Sequence, residues 1–398
     1  MTGLAPRARP EEGTDAVEGE AAPRARWARG AAGALAAFAG VRLLGLVVLA
    51  LWPSRRGGDW HTLLSARWDS LWYARIATDG YGNAVRMPNG DLHSDFAFFP
   101  LLPWLERAVS ALTSLPAADA GLAVSWAASL AAALALYAVG ARLHGRAAGV
   151  LLAALWAALP VGVVQSMAYS ESLFTALAAW SGYALLTRRW VGAGVLASLS
   201  GLARPVGAAV VAAVWLTAAV AWWRERAEDG PRPPGGRWES RRMLLGVLLA
   251  PLGWCAYFVR VGLHTGSVTG YLDVQAGWRN GFDGGLAFAS FTVAQPWPAA
   301  LALVLGVAAV VALFVWCMRR REPLPLLTYA GVVLFLALTA KGYFGSKPRL
   351  MMPAFPLLLP PAALMARWRP ALSATVLGVL AAGSAVYGAI WLHGSGPP

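Results

Sequence analysis

The sequence is poor in charged residues and in cysteine, and each scarcity excludes a class of protein. Only 13% of the 398 residues are charged, whereas 58% are hydrophobic and the mean hydropathy is +0.54. Ordinary soluble domains carry about 25% charged residues, so most of this chain is expected to lie in lipid. Cys255 and Cys317, the two cysteines, each lie inside an apolar run, which argues against a disulfide framework and a cysteine-based metal site.

The net charge of +13 is not gathered on one basic face. The arginines stand in short clusters between apolar segments, a pattern typical of membrane topology, and we therefore expect no nucleic-acid partner. The first 30 residues are rich in Pro, Ala, Arg and Glu and predict a disordered cytoplasmic tail. The segment 31–52 follows that tail without a small-residue cleavage site, so it predicts a retained first helix.

The apolar pattern predicts an all-α polytopic membrane protein with about 11 transmembrane helices, since each apolar segment is long enough to cross a hydrocarbon core. Residues 31–398 are expected to form one transmembrane domain. The predicted spans are 31–52, 119–141, 147–168, 170–187, 190–203, 205–223, 243–262, 298–318, 324–340, 350–366 and 371–392.

The distribution of Lys and Arg predicts which ends of the helices face the cytoplasm. Basic clusters place the N-terminus and the loop 224–242 inside and the C-terminus outside. This orientation requires that 97–115 does not cross the membrane. That stretch carries Pro100, Pro103 and Glu106, which favours an interfacial or re-entrant segment.

Two long outside loops, 53–96 and 263–297, are rich in Trp, Tyr, Gly and Asp. In the first loop, apolar residues recur at spacings of three and four and predict amphipathic helix on the membrane surface. These residues are Trp60, Leu63, Leu64, Trp68, Leu71, Trp72 and Ile76. A helix that only lies on the membrane would produce the same pattern.

Asp69 and Glu171 are candidate functional carboxylates. Asp69 stands among Trp68, Trp72 and Tyr73, which would hold it at the bilayer boundary as a general base; a capping or solvated carboxylate is the alternative. Glu171 lies near the first turn of a predicted helix, where capping by the preceding serine and the helix dipole offer a purely structural explanation.

His93 and Asp95 precede an aromatic run that returns to the membrane. They could orient a phosphate or bind a metal. Two ligands separated by one residue, with no cysteine beside them, favour hydrogen bonding over metal binding. We expect no cofactor, and a divalent metal is the open alternative.

Several cations lie on the predicted outer side. Arg204 interrupts an apolar stretch, where a guanidinium needs a phosphate, a carboxylate or water, and it is the strongest phosphate-binding candidate. Basic residues of membrane proteins are concentrated on the cytoplasmic side, yet Lys341, Lys347 and Arg349 lie on the predicted outer side. Phosphate binding and contact with anionic headgroups explain that cluster equally well. Arg42, within the first helix, would pair with another helix or snorkel.

Five groups of residues, in this order, resemble the PIG-V family of mannosyltransferases, members of the broader GT-C class. The groups are Trp68-Asp69 with Tyr73, Ile76 and Gly80-Tyr81; Phe96-Ala97-Phe98-Phe99-Pro100 with Pro103; Tyr169-Ser170-Glu171-Ser172-Leu173-Phe174; Arg204-Pro205-Val206-Gly207; and Ser346-Lys347-Pro348-Arg349 followed by Pro353-Ala354-Phe355-Pro356.

The resemblance implies an inverting transferase. Its donor would be dolichyl- or polyprenyl-phosphate mannose and its acceptor a glycolipid or glycan. Asp69 takes the central acidic position, and Glu171, Arg204 and Arg349 fall in motif positions. The Ala- and Arg-rich composition is typical of a bacterial chain, so we expect a bacterial cell membrane, and the predicted topology places the active site outside.

Two other functions are compatible with a polytopic chain. A transporter or flippase of lipid-linked sugars would show ionisable residues near helix middles and broken helices at corresponding positions of two halves. Polar groups gather instead at the outer helix ends, with Arg42 as the exception. A noncatalytic scaffold would leave Asp69 replaceable.

Overall fold

The computed structural model describes residues 15–53, 59–227, 236–394 and 396, without the side chains of 15–24, 236 and 237. The first half contains α1 (Asp15–Leu51), α2 (Trp60–Ser65), α3 (Asp69–Asp79), β1 (Ala84–Arg86), β2 (Leu92–Ser94), α4 (Leu101–Thr113), α5 (Ala117–His144), α6 (Arg146–Ala157), α7 (Glu171–Leu186), α8 (Trp190–Ala203) and α9 (Ala208–Ala227). The second half contains α10 (Gly236–Leu249), α11 (Leu252–Thr265), α12 (Gly270–Gly277), β3 (Gly281–Phe282), α13 (Leu286–Val293), α14 (Trp297–Arg319), α15 (Leu324–Thr339), β4 (Ala340–Lys341), α16 (Lys347–Met351), α17 (Leu359–Met365) and α18 (Pro370–His393).

The structure confirms the predicted all-α polytopic membrane fold. Among the described residues, six helical stretches are long and apolar enough to cross a membrane: Ala25–Leu51, Ala117–His144, Pro205–Ala227, Trp238–Thr265, Trp297–Arg319 and Pro370–His393. Shorter apolar helices are Arg146–Ala157, Trp190–Ala203, Leu324–Thr339 and Phe355–Met365. Each of the eleven predicted spans contains helix, although several are shorter than the apolar run that predicted them.

Irregular backbone shortens two of the predicted spans. In 147–168, helix α6 ends at Ala157, and a 3-10 turn at Gly162–Ser166 follows before α7 begins. In 350–366, Pro353 and Pro356 interrupt the helix because a proline has no amide hydrogen and its ring clashes with the preceding turn.

The N-terminal helix is longer than the span that the sequence predicted. Helix α1 begins at Asp15, inside the range 1–30 that we expected to be a disordered tail, and residues 1–14 lie outside the described residues. Alanine, glutamate and arginine are frequent in this stretch, and all three are good helix formers.

The predicted surface helix of the first outside loop is two helices rather than one. Helices α2 and α3 are separated at Ala66–Trp68, where Trp68 has a φ of 55°, a left-handed conformation that a bulky residue rarely adopts. Leu64 and Ile76 from the predicted apolar face are buried within the protein. Helix α4 has 13 residues, about 20 Å in length, which is too short to cross a membrane.

Helices α1, α5, α6 and α7 form the centre of the bundle. Helices α5 and α6 approach most closely at Gly140 and Gly149, where a Cβ on Gly140 would lie 2.8 Å from the Cα of Gly149. Small residues allow such close backbone packing between membrane helices.

The two loops that the sequence predicted to lie outside, 53–96 and 263–297, pack against each other. The Trp278 ring stacks on the His93 ring with centroids 4.0 Å apart, and its indole nitrogen donates to the carbonyl of Ser94 at 2.9 Å. Strand β3 pairs with β4, which leads into α16. The second outside loop therefore connects the first loop with the segment that carries Arg349.

Candidate active site

Asp69 and Arg349, which are far apart in sequence, form a direct ion pair. Asp69 is the first residue of α3, and its Oδ2 accepts a hydrogen bond from Nη1 of Arg349 in α16 at 2.6 Å. The Asp69 amide also donates to the hydroxyl of Tyr169 at 3.3 Å. The carboxylate is thus held at the start of a helix, where the helix dipole favours a negative charge.

Glu171 connects this pair to a second guanidinium. It is the first residue of α7, and its Oε1 lies 2.6 Å from Nη1 of Arg204, which follows the end of α8. The same oxygen lies 3.4 Å from Nε of Arg349. These contacts have ion-pair distances but not hydrogen-bond angles, and Glu171 Oε2 has no hydrogen-bond partner among the described residues. Asp69, Arg349, Glu171 and Arg204 form what we call the charge network.

The two carboxylates of the charge network differ in their access to solvent. The Asp69 side chain is 24% exposed, whereas that of Glu171 is 1% exposed. The guanidinia are also largely covered, at 9% for Arg349 and 12% for Arg204. Asp69 is therefore the carboxylate of the network that an incoming hydroxyl group can reach.

Hydroxyl groups surround the network. Ser170 Oγ accepts a hydrogen bond from Nη1 of Arg204 at 2.9 Å and lies 2.8 Å from the hydroxyl of Tyr73. Ser170 occupies the N-cap position of α7, but its side chain makes no capping hydrogen bond. The Ser170 hydroxyl therefore contacts Arg204 and Tyr73 and does not cap α7. The capping role that the sequence offered as an alternative is not observed.

The sequence analysis gave no site role to Tyr73, Tyr169 or Ser170. Each lies within four residues of a predicted carboxylate, in the motifs around Asp69 and Glu171, and this proximity is the signal that could have identified them. The guanidinium of Arg349 lies 5.1 Å from the centre of the Tyr169 ring, which adds a cation–π contact.

Burial and charge fix the protonation states of three groups at the site. Burial raises the pKa of Tyr73 and of Tyr169 above the ordinary value, so both hydroxyls remain protonated. For Arg349, burial disfavours the charged form, but the carboxylates of Asp69 and Glu171 outweigh burial and raise its pKa. The guanidinium therefore stays positively charged.

The other three predicted site residues make different contacts. The buried carboxylate of Asp95 accepts hydrogen bonds from the amides of Gly82 and Asn83, at 3.0 and 2.8 Å, and fixes the turn before β1. The Lys347 amine donates to the carbonyls of Ala337 and Ala340, both at 2.6 Å.

His93 stacks on Trp278, as described above. Among the contacts of the described residues, no hydrogen bond or ion pair joins His93, Asp95 or Lys347 to the charge network. In the described part of the chain, no group of three or more His, Cys, Asp and Glu is placed to hold a metal ion.

Two solved structures of one protein have a fold similar to that of this chain. ArnT from Cupriavidus metallidurans in the apo state aligns with a TM-score of 0.51 and 16% identity, over 85% of this chain and 60% of that one. The same protein bound to undecaprenyl phosphate also gives 0.51 and 16%, over 86% and 61%. The GT-C-like fold that the sequence predicted is confirmed.

The archaeal oligosaccharyltransferase AglB from Archaeoglobus fulgidus, in complex with an inhibitory peptide and a dolichol-phosphate, aligns with a TM-score of 0.48 and 13% identity. That alignment covers 92% of this chain and 56% of AglB, and its score is too low to support an argument. This chain spans about three fifths of the length of ArnT. No family model matches the chain, and no curated protein matches its sequence. Membership of the PIG-V family stays a prediction.

Proposed function

We propose that this protein is a membrane glycosyltransferase that moves a sugar from a polyprenyl- or dolichyl-phosphate carrier to a glycolipid or glycan on the non-cytoplasmic face. The observation that carries the proposal is the charge network, in which one accessible carboxylate lies 2.6 Å from a buried guanidinium. A carboxylate beside a buried cation suits a reaction in which a hydroxyl loses a proton while a phosphate leaves.

Asp69 is the general base of the proposed reaction. The acceptor hydroxyl attacks the anomeric carbon of the donor sugar, and its proton passes to the Asp69 carboxylate. The bond between the anomeric carbon and the phosphate oxygen breaks in the same displacement, which inverts the configuration. The lipid phosphate leaves with the electron pair of that bond.

Arg349 and Arg204 bind the phosphate in this mechanism. Guanidinium groups suit phosphate because they offer several donors in a planar arrangement. Arg349 also couples the two substrates, because it already pairs with Asp69. A phosphate that takes part of its charge weakens that ion pair when the donor is bound, and the Asp69 carboxylate is then free to contact the acceptor hydroxyl.

Glu171 positions both guanidinia and balances their charge, since its Oε1 lies within 3.4 Å of each. Its 1% exposure argues against direct contact with the acceptor. A substrate-binding role for His93, Asp95 and Lys347 stays a prediction, because their described contacts are with other parts of the protein.

The identity of the carrier and that of the sugar have separate lines of support. The carrier is supported by undecaprenyl phosphate in the structure of ArnT, a protein of similar fold. Mannose as the sugar and a bacterial cell membrane as the location follow from the PIG-V resemblance and from the composition of the chain.

The test is transfer of labelled mannose from polyprenyl-phosphate mannose into lipid and glycan fractions, in membranes that carry matched amounts of protein. Asp69→Asn is expected to lower the rate about 10²- to 10⁴-fold, the usual contribution of a general base. Asp91→Asn is the matched control, because Asp91 lies in the same outside loop, pairs with Arg279 and is also 24% exposed.

Asp91→Asn should leave the rate unchanged. Equal transfer by Asp69→Asn and the wild type would refute the role of Asp69. If neither protein exceeds empty membranes, mannose is the wrong sugar, and the same comparison is repeated with other polyprenyl-phosphate sugars. Failure with all of them would favour the transporter or the scaffold.

A further inference from the structure

Arg42, in α1, is a buried cation without a counter-charge among the described residues. Arg42 is 7% exposed, and its Nε has no hydrogen-bond partner in the part of the chain that the structure describes. No ion pair or hydrogen bond of Arg42 occurs among the described residues, so neither of the roles that the sequence suggested, a partner helix or snorkelling, accounts for it. An uncompensated charge at such a position is costly in a membrane protein.

The structure provides space beside this guanidinium. A small cavity between α1, the 3-10 turn Gly162–Ser166 and α18 is lined by Arg42, Gly45, Leu46, Leu49, Val163, Ser166, Ser384 and Ala385. It has room for about one particle of the size of a water molecule. The polar residues that line it are Arg42, Ser166 and Ser384.

Two glycines create the space around the guanidinium. A Cβ on Gly162 would lie 2.9 Å from Nη2 of Arg42, which is a collision, and a Cβ on Gly45 would lie 3.9 Å from Nη1. The guanidinium therefore rests against bare backbone on two sides. Ser384 already donates its hydroxyl hydrogen to the carbonyl of Leu159 at 2.6 Å, so the unsatisfied donors of the cavity belong mainly to Arg42.

We propose that this cavity binds one small monovalent anion, with chloride as the physiological occupant. A neutral water would satisfy the hydrogen bonds of the guanidinium but would leave its charge uncompensated inside the bilayer. A monatomic anion satisfies both needs and is only slightly larger than a water molecule. A lipid phosphate is too large for a cavity of this size.

The anion has a structural consequence for the charge network. The turn Gly162–Ser166 is four residues before Ser170 and leads directly into the segment that carries Tyr169 and Glu171. An anion that joins Arg42 to this turn and to α18 would fix irregular backbone at membrane depth, where unsatisfied polar groups are otherwise destabilising.

The experiment is thermal unfolding of the purified protein in detergent, followed by tryptophan fluorescence, as chloride replaces gluconate at constant ionic strength. Gluconate is a large organic anion that does not fit the cavity. The midpoint temperature of the wild type should rise with chloride and with bromide and reach a plateau, as expected for binding to the folded state at one site. Crystals grown with bromide should show an anomalous peak beside Arg42.

Two variants test the location of the site. Arg42→Gln removes the charge, and Gly45→Ala adds a methyl group to the cavity wall; each should abolish the rise while α1 remains helical. Gly40→Ala is the matched control, because Gly40 lies on the same helix, is exposed and has no atom within 4 Å of its added Cβ. It should respond to chloride like the wild type.

If the wild type has the same midpoint temperature in chloride and in gluconate, the proposal is overturned and the cavity is assigned to a water molecule. A full response in Gly45→Ala would also overturn it, because the anion would then bind elsewhere. Gly45→Ala keeps the test decisive if Arg42→Gln does not fold.

Discussion

Glu171 and Asp69 should contribute very differently to stability, although both pair with Arg349. Glu171 is 1% exposed and lies between two guanidinia, whereas Asp69 is 24% exposed and pairs with one. Removing one partner of a buried ion pair costs about 3 to 5 kcal/mol, because the remaining charge is left uncompensated. A more exposed pair is screened by solvent and contributes about 1 kcal/mol or less.

The magnitudes follow from what each substitution leaves behind. In Glu171→Gln, Arg204 keeps a hydrogen bond to Ser170 but loses its only described carboxylate partner, and we expect a loss of about 3 to 5 kcal/mol. In Asp69→Asn, Arg349 keeps Glu171 at 3.4 Å, and we expect a loss of about 1 kcal/mol. The effects on stability and on catalysis should therefore differ between the two variants: Asp69→Asn should lose most of its transfer rate but little of its stability.

The assay is unfolding by SDS in mixed detergent micelles, followed by far-ultraviolet circular dichroism. Glu239→Gln is the matched control, because Glu239 pairs with Arg188 but is 40% exposed; its change should stay within about 0.5 kcal/mol. A loss of stability in Glu171→Gln no larger than that in Asp69→Asn would contradict this difference between the two carboxylates.

Two further predictions concern buried ionisable residues outside the charge network. Burial raises the pKa of Glu106 well above its ordinary value of 4.5, so the folded state binds this proton more tightly than the unfolded state, and stability should fall as the pH rises above that value. Glu106→Gln should therefore raise the midpoint temperature at neutral pH and flatten its dependence between pH 5 and 8, measured by thermal unfolding. Lys347→Met should leave the carbonyls of Ala337 and Ala340 without their donor, at a cost of about 1 to 3 kcal/mol. Amide hydrogen exchange should then increase at the end of α15, and unchanged exchange there would contradict the role of Lys347.

The local composition of the chain was sufficient for much of the fold. Hydropathy over windows of about 20 residues predicts membrane helices because every backbone group must be satisfied inside the bilayer. Prolines and an acidic residue in 97–115 predicted a segment that does not cross, and the helix found there, α4, has 13 residues. The same patterns could not reveal the break at Trp68, because a left-handed residue between two apolar faces has no signature in residue spacing.

The candidate site was predicted in residue type but not in arrangement. Asp69 was selected for its aromatic neighbours, and Glu171, Arg204 and Arg349 for their places at the ends of apolar segments. The structure brings these four together. Asp95 and Lys347 were also selected as charged residues next to membrane segments, yet their charges satisfy nearby backbone groups. A charged residue that binds a substrate and one that binds backbone groups have the same pattern of neighbours in the sequence.

The order of residues along the chain was enough to identify a helical membrane protein and to show which ionisable residues lie near the ends of its apolar segments. Those properties depend on short stretches, because the transfer of a segment into lipid is set by its own side chains. Only the tertiary structure decided which charges pair, since Asp69 and Arg349 are 280 residues apart and meet through the packing of many helices. The same packing left Arg42 without a described partner and Asp69 as the exposed member of the charge network, and neither result is encoded in the neighbours of these residues along the chain.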